Sequence, residues 1–168
     1  MEQQSMRPTT RARRHDRLLH ERVHDPYQLK RTLPEPMVCP RCGAVYHQGR
    51  WTWMKRPAPA HEDMCPACQR VRDKYPGGFL TLGGRFVQEH EEEILNLVHH
   101  EEQEENAEHP LHRVMQIEEG VDSIVVTTTD LHLPRRIGEA LHHAYQGEIG
   151  FRYIGDGSIL RVHWQREV

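Results

Sequence analysis

The chain has 168 residues, the size of one or at most two small domains, since domains commonly run to roughly 100–150 residues. It is 36% hydrophobic and 7% aromatic, enough for one modest core, and no run approaches the roughly 18 consecutive apolar residues of a membrane-spanning helix. The formal charge of −3 conceals a division: residues 1–75 hold 15 Lys/Arg against 8 Asp/Glu, and residues 76–168 hold 7 against 17, so a basic front precedes an acidic back, a pattern that suggests a polyanion-binding head.

Residues 1–36 read as a basic, disordered arm that orders on a partner. Arg7, Arg11, Arg13, Arg14 and Arg17 crowd into eleven positions with only Asp16 opposing them, and Arg22, Lys30 and Arg31 continue the charge. Asp25-Pro26 and Leu33-Pro34-Glu35-Pro36 break the backbone, because proline fixes φ and restricts its predecessor. The arm has no apolar h-region, so the expected location is cytoplasmic.

Residues 37–76 form a zinc-ribbon module. Cys39-Pro40-Arg41-Cys42-Gly43 and Cys65-Pro66-Ala67-Cys68 are two knuckles 22 residues apart. Two thiolates two residues apart take adjacent corners of a tetrahedron, and two such turns complete Cys₄ coordination of Zn²⁺. Gly43 lets the first turn curl so that backbone N–H groups face the sulfurs. The gap leaves room for a hairpin carrying Tyr46, Trp51 and Trp53. A redox dithiol would need a thioredoxin-like βαβ setting, and none is present. Two disulfides are the other alternative, unfavoured in a reducing compartment. His47 or His61 can replace a cysteine, although four suffice. Four thiolates leave no open position, so the expected zinc is structural.

Pro76-Gly77-Gly78 predicts a turn that closes the module. Residues 77–110 then read as an acidic helix from about Gly84 to Ala107, ended by His109-Pro110. Its apolar stripe is Phe86, Ile94, Leu95, Leu97 and Val98, and no Lys or Arg occurs between Phe86 and His109. The acidic run reads as a solvated face, or more sharply as a surface that docks basic protein or folds back over the arm.

Residues 111–168 predict a ββαββ unit. Strands at Arg113–Glu118 and Asp122–Thr128 join across Glu119-Gly120. Thr129 or Asp130 caps a helix whose face is Leu133, Ile137, Ala140, Leu141, Ala144 and Tyr145, with Gly147 as its C-cap. Strands Glu148–Ile154 and Ser158–Trp164 flank the hairpin signal Gly155-Asp156-Gly157. The fold class is therefore α+β: basic arm, Cys₄ zinc ribbon, acidic helix, then ββαββ.

Around the cysteines sit Arg41, Arg50, Lys55, Arg56, Arg70, Arg72 and Lys74, interleaved with Tyr46, Trp51, Trp53 and Tyr75. Cations neutralise phosphates and aromatic faces stack on unpaired bases, so the module, the arm, Arg135 and Arg136 are candidate RNA contacts. The bland alternative makes the tryptophans a mini-core and the cations solvated. RNA is favoured over DNA because no recognition helix is evident. His99-His100 and His142-His143 are adjacent pairs that cannot chelate together, and His90 with Glu89 or Glu93 would hold metal only loosely; surface histidine is the preferred reading. No serine lies in a GxSxG elbow and no glycine pair precedes the Lys-Ser/Thr of a phosphate loop, so a non-enzymatic protein is expected.

His24-Asp25-Pro26-Tyr27, Leu33-Pro34-Glu35-Pro36, the two knuckles and Gly49-Arg50-Trp51-Thr52-Trp53 resemble a family of short bacterial zinc-ribbon proteins. That family is similar in turn to the large-subunit export adaptors of the nonsense-mediated mRNA decay protein three family. The second similarity covers roughly residues 37–165, on the cysteine pairs and on Gly120-Val121-Asp122 followed by a helix to Ala144-Tyr145. The adaptors carry more cysteine pairs and further C-terminal domains that 168 residues cannot hold. The resemblance implies a ribosome-binding protein whose partners are large-subunit rRNA and ribosomal proteins, with a hibernation, inactivation or assembly role. No membrane and no small-molecule substrate are expected. The competing readings are a protein–protein adaptor working through the acidic helix and, more weakly, a histidine-based metal enzyme.

Overall fold

The computed structural model describes residues 26–27 and 33–168. Most of the arm, with Arg7, Arg11, Arg13, Arg14, Arg17, Arg22, Lys30 and Arg31, lies outside the described residues. The described chain is mixed α and β, with two sheets and four helices.

A small sheet comes first, in the order β3-β2-β1-β4: β1 Met37–Val38, β2 Val45–His47, β3 Arg50–Thr52 and β4 His61–Glu62. The β2–β3 turn passes through Gln48 and Gly49, whose N–H groups both donate to the Glu35 carboxylate at 2.9 Å. Helix α1 (Pro66–Asp73) follows. With strands of two or three residues, this sheet offers little core of its own.

The second sheet has five strands in the order β6-β7-β5-β9-β8: β5 Gly78–Gly83, β6 Val114–Glu119, β7 Ser123–Thr128, β8 Glu148–Ile154 and β9 Ile159–Gln165. β5 and β9 run parallel, and every other pair is antiparallel. Helices α2 (Arg85–Glu89), α3 (Glu91–Glu108) and α4 (His132–Tyr145) complete the unit. Leu80, Leu82, Val126, Leu160, Val162 and Trp164 on one face of the sheet meet Ile94 and Val98 of α3 and Leu133, Ile137 and Leu141 of α4 in one buried cluster. Fully burying each aliphatic side chain contributes about 1.5–3 kcal/mol.

Three features depart from the sequence reading. Pro76-Gly77-Gly78 predicts a turn, but the chain enters β5 at Gly78 and runs through the middle of the sheet. Glycine is required there because a Cβ would lie 2.5 Å from Asp130 O, Pro134 Cγ and Thr128 Oγ1. Residues 77–110 therefore supply the central strand of the sheet built by residues 111–168, not a helix alone. The helix expected over 84–107 is divided at His90, whose φ of −124° ends α2 and starts α3.

The acidic run is also partly engaged. Glu101 and Glu105 accept bonds from Arg136 at 2.6 and 2.8 Å, and Glu102 accepts the Val114 N–H at 2.7 Å. Burial alone would raise the Glu105 carboxyl, but hydrogen bonds from His112 and Arg136 hold it below the ordinary carboxylate range. These contacts tie α3 to α4 and to the start of β6, while Glu91, Glu92, Glu93 and Glu104 remain exposed. The N-cap position of α4 is Leu131 and not Thr129 or Asp130, but Asp130 just before it still satisfies the free helix N–H groups, its Oδ2 accepting from His132 N at 2.7 Å and Leu133 N at 3.1 Å.

Candidate metal centre

The four cysteines converge. Their Sγ atoms all lie within 4.8 Å of one another, and all four are free thiols, so the two-disulfide alternative is not adopted. Cys39, Cys65 and Cys68 are buried and Cys42 half-buried.

Local backbone rules build both knuckles. In the first, Cys39 N donates to Ala44 O at 2.8 Å and Gly43 N to Cys39 O at 2.9 Å, closing a tight turn. Gly43 has φ +81°, a left-handed conformation that side chains resist, and it brings Ala44 N within 3.5 Å of Cys42 Sγ. In the second, Cys65 caps α1, its sulfur accepting from Cys68 N at 3.4 Å, and Pro66 occupies the first turn, where its missing N–H costs nothing.

This donor set fits zinc. Tetrahedral coordination with Zn–S bonds of about 2.3 Å requires sulfurs about 3.8 Å apart, and Cys42 Sγ lies 3.7 Å from Cys65 Sγ. The hydrogen bond shared with Cys65 lowers Cys42 to about 4. The same bond, then burial, push Cys65 up. A bound cation displaces the thiol protons, so metal binding here is linked to proton release. Among the described residues no histidine joins a group able to hold a metal ion, His47 and His61 included.

One member of the site was not expected from sequence. Arg113, just before β6 in the other half of the protein, points its guanidinium into the cysteine cluster. Its Nη2 donates to Cys65 Sγ at 3.2 Å, Cys68 Sγ at 3.5 Å and Cys42 Sγ at 3.6 Å, and its Nη1 to Cys68 Sγ at 3.4 Å. Four thiolates around a divalent ion carry a net charge of −2, and a guanidinium hydrogen-bonded to three of them offsets half of it. The available signal was position: Arg113 is the only Lys or Arg between Phe86 and Pro134. Arg113→Met is expected to weaken metal affinity about 10–100-fold, as loss of an outer-shell partner typically does. Competition titration against a chromophoric chelator measures this, and an unchanged affinity would show that the guanidinium does not tune the site.

Arg113 also docks the cysteine module on the larger sheet. Leu111 and Trp51 pack against the cysteine cluster, and Trp53 Nε1 donates to Asn106 O at 2.7 Å at the end of α3. The two tryptophans thus do separate work. Trp51 lies with its ring 5.5 Å from Tyr46, and both line a 410 Å³ cleft with Arg50, His109, Leu111 and His112.

The cations assigned to RNA from sequence divide into two sets. Arg41, Arg50, Lys55 and Lys74 are exposed, and among the described residues none pairs with a carboxylate. Arg56 pairs with Glu62, Arg72 with Asp73, Arg135 with Glu139, and Arg136 with Glu101 and Glu105. Arg70 is 3% exposed, with its guanidinium 4.6 Å from the Tyr27 ring centroid and 5.6 Å from that of Tyr75. It is a packing residue of α1 and not a surface cation. Tyr75 stays 44% exposed, its ring centroid 5.9 Å from that of Tyr27.

Fold and site together define a mixed α/β protein with a buried four-cysteine centre that can hold a metal ion. No protein-family model, curated protein or solved structure matches the chain. No helix among the described residues is long and apolar enough to cross a membrane.

Proposed function

We propose that the chain is a non-enzymatic zinc protein that binds ribosomal RNA of the large subunit, holding the subunit idle or assisting its maturation. The observation that carries this reading is the setting of the cysteine centre. A buried, closed donor set organises a small module whose surface presents Arg41, Arg50 and Lys55, and Arg50 lines a cleft with the half-buried rings of Tyr46 and Trp51. Zinc bound by four thiolates supplies cross-linking and no open coordination position, so its contribution is structural. Cations beside aromatic faces in an open cleft suit phosphates and unpaired bases.

Sedimentation of a cell lysate through a sucrose gradient at low salt tests the reading. The protein should travel with the large subunit and be released as salt rises, because each phosphate contact adds about −0.7 (single strand) or −0.9 (duplex) to the slope of log K against log salt. A protein that stays at the top of the gradient at low salt contradicts it.

A second reading, a protein–protein adaptor, is favoured by the exposed carboxylates of α3, Glu91, Glu92, Glu93 and Glu104. Deleting residues 1–33 separates the two: the adaptor keeps its partner, whereas the RNA binder loses most of its affinity.

A further inference from the structure

Every buried side chain of the five-stranded sheet lies on the face packed by α3 and α4. The strand register puts a different chemistry on the opposite face. Gln116, Thr127, Phe79, Arg161 and Arg152 form one lateral row across all five strands, and Glu118, Val125, Thr81, His163 and Gly150 form the next. None of these residues is buried.

Three observations point to a ligand. First, Arg152 and Arg161 are direct cross-strand partners, and like charges placed opposite one another in a sheet repel. Among the described residues no carboxylate pairs with either, and the acids on this face, Glu118 and Glu148, sit on its two edge strands. An anion laid across β8 and β9 relieves that repulsion. Second, the Arg161 guanidinium stacks 4.3 Å from the centroid of the Phe79 ring on the central strand, making a flat π surface in the middle of the sheet. Third, most neighbours of that stack are short or polar, Val125 apart: Thr81, Thr127 and Gln116 offer hydrogen-bonding groups to a planar edge, and Gly150 adds no side chain. This basic, aromatic face belongs to the half of the chain that carries a formal charge of −10, so its cations are segregated from the acids of α3.

We propose that this open sheet face is a stacking platform for single-stranded RNA. Phe79 and Arg161 hold unpaired bases, and Arg152, Arg161 and His163 face the backbone. The proposal rests on the RNA-binding reading above and assigns that reading a second surface, distinct from the cysteine module. Unpaired bases are the fitting occupant because successive bases stack on aromatic rings and guanidinium planes irrespective of sequence. A duplex is not, because a broad sheet face offers no helix or two-stranded ribbon to enter a groove. An acidic peptide would use the arginines but gain nothing from the ring.

The test uses the full, zinc-loaded chain and a fluorescein-labelled single-stranded RNA of mixed sequence, read by anisotropy over a range of salt. Arg152→Glu with Arg161→Glu should weaken binding at least ~10-fold and make the salt slope shallower by roughly 1.4, about 0.7 for each lost contact. Phe79→Leu, which keeps the position apolar, should weaken binding about 5-fold or more through lost stacking. Thermal melts matching the wild type show that the variants remain folded, as expected at unburied positions. Arg50→Glu with Lys55→Glu serves as the cysteine-module comparison. If the wild type binds RNA and only the Arg50/Lys55 variant loses affinity, the platform is overturned while the RNA-binding reading stands. If the wild type does not bind RNA, both fall. If the arginine pair matters but Phe79→Leu is silent, or if the face captures a polyglutamate peptide in preference to RNA, the surface recognises acidic protein and the proposal fails.

Discussion

Replacing Cys65 with serine is expected to abolish stoichiometric metal binding and to unfold residues 37–76 while the five-stranded sheet stays folded. Cys65 is fully buried and its sulfur has three partners. Its sulfur lies 3.7 Å from that of Cys42, accepts from Cys68 N at 3.4 Å and receives Arg113 Nη2 at 3.2 Å. The module around it has strands of two or three residues, and its buried cluster consists largely of the cysteines themselves with Ala67. A structural zinc site of this kind supplies roughly 10–16 kcal/mol of apparent folding free energy at neutral pH, which so small a core cannot replace. The larger sheet has its own apolar cluster of thirteen buried residues and does not need the metal. Metal analysis of the purified variant, near-ultraviolet dichroism of Trp51 and Trp53, and amide exchange report the three parts separately. A variant that keeps one metal per chain and native exchange in residues 37–76 would show that the cysteines are not what holds the module.

The second large effect belongs to Trp164→Ala, which should destabilise the five-stranded unit by about 3–5 kcal/mol, the usual cost of truncating a buried aromatic residue. Trp164 is fully buried on β9, its ring 6.4 Å from Phe86, and its Nε1 donates to Gln146 O at 2.7 Å just beyond α4. Truncation leaves a cavity beside Leu82 and Ile149, its cross-strand neighbours, and strands the Gln146 carbonyl. Against a typical domain stability of about 5–15 kcal/mol the variant retains little margin. Urea denaturation followed by dichroism measures the difference, and a loss below about 1 kcal/mol would mean that this side chain is not central to the core. Trp164→Phe keeps much of the volume but not the donor, so it should fall between the two.

What the sequence disclosed followed from local rules. The cysteine spacing announced a four-thiol cluster, Gly155-Asp156-Gly157 announced the β8–β9 hairpin, and the spacing of Leu133, Ile137 and Leu141 announced the buried face of α4. Strand β5 escaped because glycines at both its ends and the preceding proline resemble a turn. Only its docking between β7 and β9 gives those glycines their purpose. The break at His90 was masked by continuous helix-forming residues on both sides of it. Arg70 looked like one more exposed cation until Tyr27 and Tyr75 enclosed it. Arg113 was legible only as a lone cation in an acidic stretch, since its cysteine partners lie at least 45 residues away in the chain. The open sheet face could not be read at all, because Phe79, Arg161 and Arg152 become neighbours only through strand pairing.

Ultraviolet cross-linking of the zinc-loaded chain to purified large ribosomal subunits, with the cross-linked peptides identified by mass spectrometry, tests the central claim most directly. The expected result is ribosomal RNA joined to peptides containing Trp51 or Phe79, lost when salt is raised. Absence of any RNA cross-link, or cross-links to ribosomal proteins alone through the exposed carboxylate face of α3, would contradict it.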